Sequence, residues 1–277
     1  MSLGGVLAAR ARGLIEPVLI GPEVKIRQVA ETYDYDLDGI TIDPVEHSHA
    51  ACARAVELCQ LDAVESIMKG SLHTDELMGV LLAKSSGLRT ERRVSHVFVF
   101  DVPTYPRPLL ITDAAINISP NLNARRDIVQ NAIELAHALK IDEPKVAILS
   151  AVEIVTPAIP STLDAAALCT MVSRGQITGG ILDGPLAFDN AISETAAKIK
   201  GIESPVAGLA DILVTPDLES GNMLAKQLEY LAHGEGSGIV LGLRLPVILT
   251  SRADDAMSRL ASCALAVILR AHQTKES

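Results

Sequence analysis

The chain reads as an α/β protein with mostly parallel sheets, and three observations carry that expectation. Ten short apolar runs alternate with longer segments of helical period along its 277 residues. Several of these runs, such as PVILT and KVAILS, are apolar at nearly every position, as strands covered on both faces are. Hydroxyls, carboxylates, Gly and Pro gather directly after the runs, at the strand carboxyl ends where open α/β sheets form their ligand crevice.

In chain order the predicted strands occupy 16–21, 39–43, 63–68, 95–102, 108–112, 145–150, 178–183, 211–215, 237–242 and 246–250. Cys52 and Cys59 share one face of a helix between the second and third strands, where they suit small core positions. Thr74, followed by Asp75 and Glu76, reads as an N-cap with acidic residues in the first turn. After Asn121, Ile128, Ala132, Leu135, Ala136 and Leu139 line one helical face. A last helix runs from about Asp254 to Ala271. Composition marks no linker, so the candidate borders are the TDAAINISPN turn at 112–121 and the RLP step at 244–246.

Composition narrows the function. The net charge of -10 repels polyanions, and aromatics make up only 3% with no Trp, so nucleic acid is not an expected partner. The four cysteines form no CxxC pair, which argues against a disulfide or zinc framework. No leader and no membrane span is read, so a cytoplasmic enzyme is expected. P-loop, GxGxxG, GxSxG and HExxH patterns are all missing.

Five stretches carry candidate chemistry. LTSRADDA at 249–256 sets Ser251, Arg252, Asp254 and Asp255 after a buried strand. It offers a neutral donor, a planar fork suited to phosphate, and a carboxylate able to accept a proton. Ser251 or an aspartate there also suits an N-cap, and a helix N-terminus is itself an anion site. In MKGSLHTDEL at 68–77, Lys69 brings charge and Gly70 allows close backbone approach to a ligand. In ITDAAINISPN, Asp113 and Asn117 are four apart and would align on a helical turn. In IPSTLDAA, Ser161 or Thr162 can cap the next helix. In DGPLAFDNA, Gly184-Pro185 would break the chain after a strand and Asp189 would cap the helix beyond it. Glu46, His47 and His49 suit a helix start better than a metal site. His73 and His96 suit structural roles, and Arg92-Arg93 and Arg125-Arg126 suit solvated surfaces.

Taken in order, GLIEPVLIGP, MKGSLHTDEL, GLRTERRVSHV, ITDAAINISPN, KVAILSAVE, IPSTLDAA, DGPLAFDNAIS, the KGIESPVAGLADILVTPDLESGNMLAKQLEYL run and LTSRADDA resemble the phosphate acetyltransferase and phosphate butyryltransferase family. The resemblance spans about Ala8 to Ala271, and its later segments look closer to the butyryl-type branch. It implies reversible acyl transfer between acyl-CoA and inorganic phosphate, acetyl-CoA plus phosphate giving acetyl phosphate plus coenzyme A. Butyryl or another short chain is the alternative. It also implies two three-layer α/β domains, like those of isocitrate and isopropylmalate dehydrogenases, with the active site in the interdomain cleft. The first would comprise 1–112 plus 247–277, the second an inserted 113–246. A homodimer or higher homo-oligomer is implied, with no metal and no bound cofactor, and coenzyme A as substrate.

By resemblance Ser251 and Arg252 are catalytic. The family's base position falls, ungapped, on Ser258, so Asp254 is taken as base. Met78 and Gly79 stand where acetyl-type members place a coenzyme A-binding arginine, and Arg92 or Arg93 would substitute. Lys69, Gly70, Thr74, Asp113, Asn117, Ser161, Thr162, Gly184, Pro185 and Asp189 complete the substrate-binding set. Two rival classes are an NAD-dependent decarboxylating dehydrogenase on the same architecture and a non-catalytic domain that binds coenzyme A without turnover.

Overall fold

The structure, a computed structural model, describes residues 2–249 and 255–276. Ser251, Arg252 and Asp254 therefore lie outside the described residues. The chain opens with α1 (Ser2–Ala11), β1 (Val18–Gly21), α2 (Glu23–Thr32), β2 (Thr41–Pro44), α3 (Ser48–Gln60), β3 (Ile67–Met68) and α4 (Thr74–Leu81). It continues through β4 (Ser95–Asp101), β5 (Leu109–Thr112), α5 (Leu122–Ala138), β6 (Lys145–Leu149), α6 (Pro160–Ser173) and β7 (Ile181–Leu186). Then come α7 (Phe188–Ile192), α8 (Glu194–Ile199), β8 (Ile212–Val214), α9 (Leu218–Leu231), β9 (Glu235–Leu241), β10 (Val247–Ile248) and α10 (Ala256–Glu276). Each of the ten expected apolar runs holds a strand, its ends moved by a few residues.

The chain divides into two compact units, one reaching Arg92 and resuming at Ser237, the other spanning Arg93–Gly236. These borders differ from the expected 112/113 and 246/247. The reason lies in strand pairing. β4 and β5 form an antiparallel hairpin, and β5 continues in parallel to β8, so both belong to the inserted unit. β9 pairs with β10 through Val240 and Val247 and so goes with the other unit.

In the unit spanning Arg93–Gly236 the strand order is β4-β5-β8-β6-β7, and every pairing after β4–β5 is parallel. Side chains alternate across this sheet. Leu109, Ile111, Ala147, Leu149 and Leu213 share a core with Phe100 and with Ala191, Ala197 and Ala225 from α7, α8 and α9. Leu110, Val146, Ile148 and Ile212 are buried on the opposite face, against which α5 and α6 pack. Three layers result. The predicted face of α5 is inward, with Ile128, Ala132, Leu135 and Ala136 buried.

Gly184-Pro185 does not break the chain as expected but lies within β7, joined by a cis peptide bond. β7 has β6 as its one partner in the unit, so proline's missing N–H falls on an edge strand. Gly184 is required there, because a Cβ would stand 2.7 Å from the Ile148 carbonyl oxygen.

The other unit does not form the single sheet expected of a three-layer domain. β1 and β2 make a separate parallel pair, while β3-β10-β9 form another group. Pro22 directly after β1 and Pro44 closing β2 lack the N–H that would extend the ladder, which keeps the pair short. α10 packs along α1 so closely that a Cβ on Gly5 would stand 2.5 Å from that of Arg259. Cys52 and Cys59 are buried core residues as expected, and burial pushes the thiols of Cys59 and Cys263 up to about 11.

Candidate active site

In the terminal unit, β3 and β10 run side by side in parallel, pairing Ile67 with Val247 and Met68 with Ile248. The Lys69 N–H donates to the Ile248 carbonyl at 2.9 Å, so both strands leave the sheet together. Lys69–Gly70 thus departs beside Leu249, where the 249–256 stretch begins. Two segments far apart in sequence are joined at one strand end by this register. Lys69 is buried, its Nζ donating to the Leu72 carbonyl at 3.0 Å. At Gly70 the space a Cβ would fill holds no heavy atom of the described residues within 4 Å. Packing therefore does not explain the glycine.

Thr74 opens α4 but does not cap it, contrary to expectation. His73 holds the N-cap position with extended backbone and no side-chain capping bond, which makes Thr74 the first helical residue. Asp75 and Glu76 do occupy the first turn. Glu76 ties α4 to α3 by accepting from Ser48 Oγ and pairing with His49 Nδ1 at 2.8 Å, and these bonds, Ser48's first, lower its pKa. His47 caps α3, accepting the Ala50 N–H at 3.1 Å, which accounts for the Glu46–His49 cluster as a helix start. At the other end of the 249–256 stretch, Asp255 accepts the Ser258 N–H at 2.7 Å and so caps the first turn of α10. That bond holds its carboxyl below the usual range.

In the inserted unit, β5, β8, β6 and β7 run parallel, so their carboxyl ends lie along one edge of the sheet. Asp113 and Asn117 meet there, both buried, but not through the helical turn that was expected. Instead the Asp113 carboxylate gathers the N–H groups of Ala115, Ile116 and Asn117 at 3.0–3.1 Å, plus the Asn117 side-chain amide. Burial raises the Asp113 pKa, and those donors partly offset the rise. Arg93 Nε donates to Asn117 Oδ1 at 2.7 Å, and the Asn117 amide reaches the Val94 carbonyl at 2.8 Å.

Ser150 comes directly after β6, and its hydroxyl lies 2.9 Å from that of Ser161 in the first turn of α6. Neither Ser161 nor Thr162 caps α6 as expected. Ile159 is the N-cap with Pro160 next, because proline suits the first helical position. Thr162, fully buried, instead accepts the Thr156 N–H at 2.9 Å and lies within bonding distance of two loop carbonyls, Thr156 and Ile159. Asp189 lies inside α7 rather than capping it and pairs with Lys200 at 3.3 Å. Arg125 is not on the surface but buried, pairing with Asp164 at 3.2 Å and donating to the Pro216 carbonyl. His96 is buried edge-on to Phe98, and desolvation lowers its pKa to about 4. It is a neutral core residue at ordinary pH.

Lys69 and Gly70 are thus joined to the start of the 249–256 stretch, and Asp113 meets Asn117. Ser161 and Thr162 fix the loop after β6, while Gly184 and Pro185 shape β7. Sequence reasoning missed Ser150, Glu153, Lys200 and the Arg93–Asn117 bond. Ser150 and Glu153 lie in the KVAILSAVE stretch and Lys200 opens the KGIESPV run, but neither stretch foretells that Glu153 and Lys200 meet.

Residues 47–267 match the family model described as phosphate acetyl/butaryl transferase. A phosphate acetyltransferase from Rhizobium meliloti is 61% identical, over 98% of this chain and 86% of its own. A phosphate butyryltransferase from Clostridium acetobutylicum is 41% identical, over 96% of this chain and 89% of its own. The crystal structure of a branched-chain phosphotransacylase from Enterococcus faecalis V583 superimposes with a TM-score of 0.77 at 30% identity, covering 91% of this chain and 98% of that one. The chain belongs to the phosphate acetyl/butyryl transferase family.

Proposed function

We infer that the protein is a phosphate acyltransferase that moves a short acyl group reversibly between acyl-CoA and inorganic phosphate. Acetyl is the first choice, and the observation that carries it is 61% identity with a phosphate acetyltransferase over nearly the whole chain. Butyryl or another short chain is the second reading, supported by the 41% identity with a phosphate butyryltransferase.

In the proposed mechanism Asp254 takes the proton of the coenzyme A thiol. A free thiol has a pKa of about 8.5, so little thiolate is present near neutrality, and a positioned base contributes about 10²–10⁴-fold. The sulfur attacks the carbonyl carbon of the acyl phosphate; the C–S bond forms, the C–O bond to phosphorus breaks, and phosphate leaves. Ser251 and backbone N–H groups stabilise the carbonyl oxyanion, and Arg252 neutralises the departing phosphate. Lys69, Gly70, Thr74, Asp113, Asn117, Ser161, Thr162, Gly184, Pro185 and Asp189 make up the proposed substrate-binding set. This scheme takes the α/β domains to be of the type found in isocitrate and isopropylmalate dehydrogenases. It needs no metal or bound cofactor, and it takes the enzyme to be a cytoplasmic homodimer or higher homo-oligomer.

Phosphate-dependent release of thiol from acetyl-, propionyl- and butyryl-CoA tests the activity and ranks the chains. The highest kcat/KM is expected with acetyl-CoA. Each added methylene should shift selectivity by about 1–3 kcal/mol. A butyryl preference would move the assignment to the second branch, and absence of thiol release with every ester would end it.

Gly70→Ala separates a ligand contact from a structural turn. Its open surroundings and the absence of positive φ predict unchanged or slightly raised stability, by about 0.4–1 kcal/mol. KM for acyl-CoA or phosphate should rise about tenfold if backbone and ligand approach closely there. Unchanged KM values would remove Gly70 from the site.

A further inference from the structure

The loop from Ser150 to Ser161 leaves the carboxyl end of β6 and feeds α6, and it is fixed at three points. The first is the Ser150–Ser161 hydroxyl pair at 2.9 Å, and the second is Thr162, whose hydroxyl bonds the backbone of Thr156. The third lies outside the proposed substrate-binding set, apart from Asp189. Glu153, part-buried in mid-loop, accepts Lys200 Nζ at 2.6 Å and the side-chain amide of fully buried Asn190. Lys200, the C-cap following α8, reaches Asp189 of α7 at 3.3 Å as well. One ammonium thus joins two short helices to the middle of the loop.

We propose that Lys200, acting through Glu153, is a positioning residue that sets the 150–161 loop and thereby the Ser150 and Ser161 hydroxyls at the start of α6. The proposal rests on the inferred acyl transfer and on Ser161 as a substrate-binding group. Phosphate is the substrate assigned to these hydroxyls, because paired neutral donors at a helix start suit a phosphate oxygen. Hydrogen bonding with Lys200 draws the Glu153 carboxyl below its ordinary range, so the charged pair is intact at neutral pH. The Lys200 side chain is half exposed, and such a pair adds little to global stability. Its effect is local, on where the loop sits.

The test compares Lys200→Met, Lys200→Arg, Ser161→Ala and the Lys200→Met/Ser161→Ala double variant in the full chain, by kinetics with varied phosphate and by melting. Lys200→Met should raise KM for phosphate about 5- to 20-fold with a smaller change in KM for acyl-CoA, since misplacement of a binding group costs mainly its own substrate. It should melt within about 3 °C of the parent. Lys200→Arg should restore most of the phosphate KM, and the double variant should be no worse than the more impaired single one. Phosphate KM within twofold of the parent in Lys200→Met, with Ser161→Ala impaired, would overturn the positioning role and leave Ser161 in place. Unchanged phosphate KM in Ser161→Ala would overturn the assignment of Ser161 and the proposal with it. A fall in kcat that tracks a lower melting temperature, without rescue by Arg, would reduce Lys200 to a structural tie and overturn the proposal.

Discussion

Arg252→Gln should lower turnover by about 10²–10³-fold while leaving the melting temperature nearly unchanged. In the proposed mechanism phosphate is the leaving group when coenzyme A attacks acyl phosphate, its charge growing as the C–O bond breaks, and phosphate attack on acetyl-CoA crosses the same transition state in reverse. A preorganised cation at that point stabilises the transition state more than the ground state, and one such donor is worth about 3–4 kcal/mol. At 1.36 kcal/mol per factor of ten, that is the stated loss. Glutamine keeps a polar, hydrogen-bonding end but is shorter and removes the charge and the bidentate fork. Arg252→Lys should recover part of the rate, because charge survives without the fork. Steady-state kinetics with saturating acetyl-CoA and varied phosphate measure both effects. A Gln variant with the parent's kcat would remove Arg252 from the mechanism.

The largest effect on stability is expected at Gly208. Its φ is +81°, and a Cβ there would stand 2.4 Å from the backbone nitrogen of Glu194 and 2.5 Å from its Cα. Alanine would carry a left-handed penalty of about 1–2 kcal/mol. Overpacking adds about 1–3 kcal/mol, because the obstacle is backbone at the start of α8 and cannot swing away. The sum, about 2–5 kcal/mol, corresponds to a fall of about 5–15 °C in Tm for a chain of this size. Gly201 is the internal comparison. It shares positive φ, +65°, but has no heavy atom within 4 Å of the Cβ position, so Gly201→Ala should cost only the conformational part. Equal Tm values for the two variants would show that close packing at Gly208 has no energetic weight.

The strands were legible because each is a short apolar run between polar or turn-forming residues. The helix after Asn121 was legible because its apolar residues recur at one face. Helix starts were less so. Thr74, Ser161, Thr162 and Asp189 all have side chains that suit capping, yet His73, Ile159 and Ala187 hold the N-cap positions. Residue preference at a cap is a matter of about 1 kcal/mol, which loop geometry readily overrides. The unit borders were missed for a different reason. Whether a strand closes one unit or opens the next depends on its pairing partner, and β5 pairs with β8, roughly a hundred residues further along the chain. Of the polar contacts near the candidate site residues, Asp113–Asn117 was suggested by a spacing of four, whereas Glu153–Lys200, 47 residues apart, was not.

The sequence by itself determined the alternation of strand and helix, the gathering of hydroxyls, carboxylates and glycines after strands, and the family to which those stretches point. Such features are local: they depend on side-chain period and on residue chemistry over a few positions. Only the tertiary structure decided that Lys69 leaves the sheet beside the end of β10, that Thr162 secures a loop instead of capping a helix, and that Lys200 holds Glu153. Those contacts are set by strand register and by where helices come to rest after the core has formed, and no local pattern encodes either.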